Sequence, residues 1–146
     1  VLNGKDGAVE WHYDSMGSSF RGEAAVADGD GDSVPEVYIG TLSDQSLYCL
    51  DGRTGKVEWS RAVKAAIWSA PALVDLDGDN TLEVVFSADD RMVRALNAED
   101  GTPAWAYPTP KPVMSSPSIG DIDTDGKAEV VFSCSDGRVY ALDYNF

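Results

Sequence analysis

The chain has 146 residues, 43% apolar and 25% charged, the size and balance of one globular domain with a fair-sized core. Its 25 Asp and Glu against 11 Lys and Arg leave a formal net charge of -14, which repels phosphate backbones and anionic lipid and so argues against nucleic-acid and membrane-surface binding. No apolar run approaches a bilayer span, and a single histidine, His12, leaves no room for Ser-His, Cys-His or multi-histidine metal chemistry.

The chain starts at Val1 without a Met and without a signal peptide, as a mature chain trimmed of a targeting segment would. Its first predicted strand runs from Gly7 to His12 and closes the motif LNGKDGAVEW, which begins at Leu2 and ends at Trp11. Phe20-Arg21-Gly22 then approaches AVADGDGDSVPEVYI, from Ala25, in which an Asp-rich loop separates two short strands. A third strand ends in Leu50-Asp51 and a fourth in Trp59, within LDGRTGKVEW. Ile67-Trp68-Ser69 opens the next unit, ALVDLDGDNTLEVVF follows from Ala72 with a strand over Glu83–Ser87, and LNAEDGTPAW from Leu96 ends at Trp105. Pro108, Pro110 and Pro112 make a stiff connection rather than a recognition motif. Met114-Ser115-Ser116 stands in the place of the two earlier approaches, SIGDIDTDGKAEVVF starts at Ser118, and the last predicted strand covers Arg138–Leu142. No window carries three or four turns of helical apolar spacing.

Two motifs share one beat. The first Asp of each acidic loop falls at 28, 75 and 121 and the tryptophans at 11, 59 and 105, so both recur every 46–48 residues. Four short strands at that period predict an all-β fold, a β-propeller of three four-stranded blades. Blade 1 covers about 14–62, blade 2 about 63–108, and blade 3 about 109–146 plus the N-terminal strand 1–13. The third unit lacks its outer strand and the N-terminus carries a spare one. Pairing the two, within one chain or between two, is expected to close that blade's edge.

LYCLDGRTGKVEW and VRALNAEDGTPAW resemble the PQQ-like β-propeller repeat, whose consensus runs roughly Ala-x-Asp-x-x-Thr-Gly-x-x-x-Trp. The acidic loops resemble those of FG-GAP/VCBS-type repeats, found also in integrin α-subunit propellers. Together the two resemblances cover nearly the whole chain and imply a propeller with Trp11, Trp59 and Trp105 docked between blades. Asp6 and Asp100 stand where the repeat carries Thr, kept here only as Thr54. Pro103 lies inside the last Trp motif, which argues that its strand is an outer edge. Family propellers that use the quinone cofactor are larger and resemble this chain only in their repeats. No adjacent-cysteine pair is present, and no quinone dehydrogenase activity is expected.

The acidic loops carry the chemistry. Each has carboxylates at positions 1, 3, 5 and 9: Asp28, Asp30, Asp32 and Glu36; Asp75, Asp77, Asp79 and Glu83; Asp121, Asp123, Asp125 and Glu129. Alternate residues of a tight loop turn their oxygens toward one centre, and the main-chain carbonyl at position 7 (Val34, Thr81, Lys127) adds another. Such flexible oxygen cages, of about 6–8 ligands, suit Ca²⁺ better than strictly octahedral Mg²⁺. An EF-hand is the rival, but its last carboxylate comes at position 12 and helices flank it, whereas here Glu at 9 runs into a strand. Plain Asx turns are the simpler alternative. Against them, four carboxylates held close repel one another unless a cation or protons neutralise them, and a turn needs only one or two. Glu at position 9 is the least secure ligand. Position 6, expected at positive φ, is Gly126, Asn80 and Ser33, so affinity is expected to fall from the third loop to the first.

Cys49 and Cys134 have neither zinc-ligand nor CxxC spacing and read as small buried hydrophobes, and His12 reads as a surface strand residue. Arg21 and Trp68 differ most from their counterparts at the approach to the innermost strand, which makes them candidates for ligand contact at a channel mouth, with plain packing the simpler reading of Trp68. Three blades fall short of the usual minimum of about four, so a head-to-tail homodimer forming six blades is expected. The expected function is a non-catalytic, calcium-binding propeller that scaffolds or binds a protein or glycan outside the cytoplasm (secreted, periplasmic or at the cell surface), with no nucleic-acid partner and no membrane insertion. The competing readings are a propeller piece of a larger extracellular polysaccharide-active enzyme, for which spacing nominates no spare acid pair, and a self-assembling filament subunit.

Overall fold

The computed structural model describes residues 1–15 and 17–144. Among them all regular structure is strand: β1 (Ala25–Ala27), β2 (Glu36–Gly40), β3 (Ser46–Asp51), β4 (Val57–Ala62), β5 (Ala72–Val74), β6 (Glu83–Ala88), β7 (Met92–Asn97), β8 (Pro103–Pro108), β9 (Ser118–Gly120), β10 (Glu129–Cys134) and β11 (Arg138–Leu142). They form three antiparallel sheets in chain order, β1-β2-β3-β4, β5-β6-β7-β8 and β11-β10-β9. β1 lies beside β5 and β5 beside β9, so the strand before each acidic loop is the inner strand of its sheet. The all-β expectation agrees with this architecture. β11 has its predicted bounds, and β6 runs one residue past them, to Ala88.

The pleat explains how three small sheets share two cores. Alternate residues of a strand point to opposite faces, and a strand with a sheet on each side must be apolar on both. β6 meets that demand: Val84 and Phe86 join Tyr38, Leu47, Cys49 and Ile67 in a core between the first and second sheets. Val85, with Val93 and Ala95 of β7, joins Val113, Val130, Phe132 and Cys134 in a core between the second and third. β4 and β8 are largely exposed outer strands, and Pro103 opens β8, where no further strand needs its missing N–H. The ladder shifts by a bulge at the same place in both complete sheets, between Cys49 and Leu50 and between Ala95 and Leu96.

Among the described residues the N-terminal strand does not pair with the third sheet. Leu2 bridges Val9 instead, Asn3 N–H donates to Ala8 O at 2.8 Å, and Gly7 N–H donates to Asn3 O at 2.8 Å. The β3–β4 turn makes the equivalent bonds, from Asp51 N–H to Lys56 O at 2.9 Å and from Gly55 N–H to Asp51 O at 2.8 Å. Residues 1–11 are therefore a hairpin of the β3–β4 type lying ahead of the first sheet, and the strand predicted over Gly7–His12 is reduced to the bridge at Val9. The reason is local: LNGKDG contains its own turn, so Val9 finds a partner seven residues back at far lower loop-closure cost than pairing with β11. Trp11 docks this hairpin onto the first sheet by donating from Nε1 to Gly52 O at 2.9 Å. Trp59 repeats the contact one sheet on, with Ala98 O at 2.9 Å.

Candidate metal centres

Each acidic loop leaves an inner strand and ends on the first residue of the next, Glu36 of β2, Glu83 of β6 and Glu129 of β10. The three loops fold with one hydrogen-bond scheme. The first carboxylate accepts two loop amides: Asp28 from Gly31 and Ser33 at 2.9 and 3.0 Å, Asp75 from Gly78 and Asn80 at 2.7 and 2.9 Å, Asp121 from Thr124 and Gly126 at 2.6 and 3.0 Å. The carboxylates at positions 3 and 5 each accept the N–H two residues further on. The Glu at position 9 reaches back to the amide at position 2, of Gly29, Leu76 and Ile122, at 2.7, 2.8 and 2.7 Å. These charge-assisted bonds hold the carboxylates in place before any ligand arrives. Asx-turn chemistry is thus present, and the Glu at position 9 is an addition that a turn does not need.

Ten of the twelve predicted ligands are gathered. Ligand oxygens of Asp28, Asp30, Asp32 and Glu36 lie within 4.8 Å of one another, as do those of Asp75, Asp77 and Glu83 and those of Asp121, Asp123 and Glu129. Asp79 and Asp125 fall outside these groups. For Asp79 a cause is visible: the Thr81 hydroxyl, absent from Val34 in the first loop, binds Asp79 Oδ1 and holds its carboxyl below the usual range. The three Glu residues are 1%, 2% and 4% exposed. Glu36 Oε1 and Glu129 Oε1 are buried and accept no hydrogen bond among the described residues. Burial pushes the Glu36 and Glu83 carboxyls above their ordinary value, the neighbouring Asp charges adding to it against the amide each accepts. A buried carboxylate oxygen with no donor, facing two or three more carboxylates, lacks one thing, a positive charge. The all-oxygen donor set suits a hard divalent cation, so the residues present fit such an ion.

Backbone strain divides the loops differently from the sequence expectation. Position 6 is left-handed in all three, at φ 72° for Ser33, 70° for Asn80 and 89° for Gly126. Position 4 is left-handed as well, at 79° for Gly31 and Gly78 and 68° for Thr124. The third loop therefore carries a β-branched residue where the others have Gly, and the second, with Gly78 and Asn80, is the least strained.

At the opposite end of the inner strands the residue alignment shifts by one. Ser69 Oγ donates to Ser87 O and Ser115 Oγ to Ser133 O, both at 3.1 Å, so Ser115 is the counterpart of Ser69. Buried Val113 then matches buried Ile67, and exposed Met114 matches Trp68 and Arg21. Trp68 is partly exposed, and its Nε1 donates to Asp89 Oδ2 at 2.9 Å. Cys49 and Cys134 are buried free thiols, and burial pushes the Cys49 thiol well up. His12 is exposed beside Asp14, 3.5 Å away.

Residues 1–145 match the PQQ-like family described as outer membrane protein assembly factor BamB. The chain belongs to this family. Among solved structures it is similar to BamB from Moraxella catarrhalis (TM-score 0.69, 23% identity, over 94% of this chain and 37% of that one). It is similar also to the quinohemoprotein alcohol dehydrogenase of Comamonas testosteroni (0.67, 16%, 94% and 29%) and to the V. cholerae biofilm matrix protein Bap1 (0.63, 17%, 87% and 27%). These likenesses show a PQQ-like β-propeller fold, of which the chain spans well under half the length of each relative. No curated protein sequence matches it.

Proposed function

We propose that this chain is a non-catalytic, calcium-binding propeller module that scaffolds or binds a protein or glycan outside the cytoplasm. The observation that carries the reading is one carboxylate cage built three times with one hydrogen-bond scheme, its buried Glu left with an orphaned oxygen in two of the three. Asp28, Asp30, Asp32 and Glu36 would hold an ion in the first loop, Asp75, Asp77 and Glu83 in the second, and Asp121, Asp123 and Glu129 in the third. Bound calcium supplies the positive charge that these clustered carboxylates call for. Each loop joins an inner strand to the next strand of its sheet, so a filled loop stiffens the sheet it opens. The second and third loops flank a cleft of about 440 Å³ whose lining mixes the charged Asp77, Asp121 and Lys127 with Leu76 and Tyr144, a combination suited to a sugar, which carries hydroxyls and an apolar ring face. The family's description as an outer membrane assembly factor supports a scaffolding role and an extracytoplasmic setting.

Thermal unfolding in excess EDTA and then in millimolar Ca²⁺ tests this. At a hundredfold excess over Kd each filled loop adds about 2.7 kcal/mol, and at about 2–4 °C per kcal/mol the midpoint rises by several degrees per loop. Equal midpoints in the two conditions would overturn calcium binding. Reducing-end release from an extracellular polysaccharide would overturn the non-catalytic part.

A further inference from the structure

Two aromatic positions of the repeat become arginines in the gap between the first and second sheets. One register position recurs on all three sheets: Ile39 pairs with Tyr48, Phe86 with Arg94 and Phe132 with Tyr140. Tyr48 and Tyr140 donate from their hydroxyls to Asp44 and Asp136, at 2.5 and 2.7 Å. Arg94 instead binds Asp90 from both Nη1 and Nη2. A second position looks back across each gap from the outer strand of the preceding sheet. Cross-strand partners share a face, so Tyr107, beside Val93, faces the third sheet, and Arg61, beside Leu47, faces the second. Tyr107 and Tyr140 pack against the core between the second and third sheets. In the gap between the first and second, a cleft of about 230 Å³ is lined by Arg61, Arg94, Val63, Leu96 and Pro103 among others. Its walls are the two four-stranded sheets, so it lies inside the array and not at either end. Arg94 is only 19% exposed and is fixed by Asp90. Arg61 is exposed, and among the described residues its guanidinium forms no ion pair. Asp100 is within electrostatic reach of it, but the Thr102 amide and hydroxyl already bind that carboxylate at 2.8 and 2.7 Å.

We propose that this cleft holds one uronic-acid residue of an acidic glycan. The inference rests on the glycan side of the function proposed above and names its sugar. Arg61 donates to the uronate carboxylate, and Arg94 adds a second positive charge from the opposite wall. The C–H face of the sugar ring covers Val63, Leu96 and Pro103. The cleft is smaller than the roughly 300–1,000 Å³ of drug-sized pockets, so a single ring enters it. A glutamate side chain would meet the arginines but leave that apolar floor wet, whereas a uronate carries its carboxylate directly on the ring.

Titration calorimetry with trigalacturonate at constant calcium tests this, with galactotriose as the neutral counterpart and triglutamate as the peptide one. Saturable binding of trigalacturonate is expected, with the other two weaker by about tenfold or more. Replacing Arg61→Tyr and Arg94→Tyr together gives this gap the pair that fills the next one, with the new hydroxyl beside Asp90 as Tyr140 is beside Asp136. That variant is expected to keep its circular dichroism spectrum and its calcium heat while uronate affinity falls by about tenfold or more. Arg61→Gln, at an exposed site, lowers the affinity in the same direction without touching the Asp90 pair. Binding also weakens as salt screens the two arginines. No binding of trigalacturonate, equal binding of galactotriose or triglutamate, or affinity unchanged in Arg61→Gln overturns the proposal. Calcium titration of the same chain reads the acidic loops separately, so failure of the cleft and failure of the cages give different results.

Discussion

One indole fastens the first sheet to the second, and it tolerates no side chain beneath it. Gly101 sits at φ 68°, and a Cβ there would come within 2.6 Å of the Trp59 ring. Gly101→Ala is therefore expected to cost about 2–4 kcal/mol, from a strained backbone and an overfilled contact together. Denaturant unfolding followed by tryptophan fluorescence measures it. Gly120→Ala, with nothing within 4 Å and no positive φ, serves as the control that changes little. The buried Glu residues set a pH dependence of opposite sense to the usual acid denaturation. Glu36 and Glu83 are raised above 4.5 in the fold by burial, so without metal the folded chain holds protons there that the unfolded chain has released. Their contribution is complete below about pH 4.5 and is lost as pH rises through the folded value. In EDTA, Glu36→Gln with Glu83→Gln is expected to flatten that decline in midpoint-versus-pH scans. A decline as steep as that of the unsubstituted chain would refute the assignment.

At the scale of the loop, two left-handed residues shape each cage, and only one of them carries a readable signature. Position 6 was legible because Gly126 and Asn80 occupy it in two copies. Position 4 was hidden because Thr124 breaks a pattern that Gly31 and Gly78 begin. Thr124→Gly is expected to stabilise the chain by about 0.5–1 kcal/mol, the relief of left-handed strain less the added chain entropy of Gly. It is also expected to raise calcium affinity at the third loop, read by titration of single-loop variants. If the third loop already binds more tightly than the second, strain does not rank the loops. The strands themselves were legible from short β-branched or aromatic runs bounded by Asp and Gly, as β6 and β11 show. Two points needed three-dimensional context. The N-terminal strand was expected to pair with β11 within one chain or between two, and within the chain Val9 bridges the nearer Leu2 instead. Met114 was set against Ile67 because only the Ser69 and Ser115 hydroxyl bonds fix that register.

At the scale of the whole chain, three sheets make two cores, so each sheet's stability rests on its neighbours and on the loop that opens it. Losing the ion from one loop is expected to loosen that sheet before the others, with hydrogen exchange rising in β9 and β10 of an Asp121→Asn variant and not in β1 and β2. Uniform exchange across all three sheets would show the loops to be uncoupled from their strands. Isothermal titration of Ca²⁺ into the chelator-stripped chain bears most directly on the cages. Saturable heat is expected, falling in steps as Asp28, Asp75 and Asp121 are replaced by Asn one after another. Heat no larger than dilution, or heat untouched in the triple variant, would contradict calcium binding at these loops.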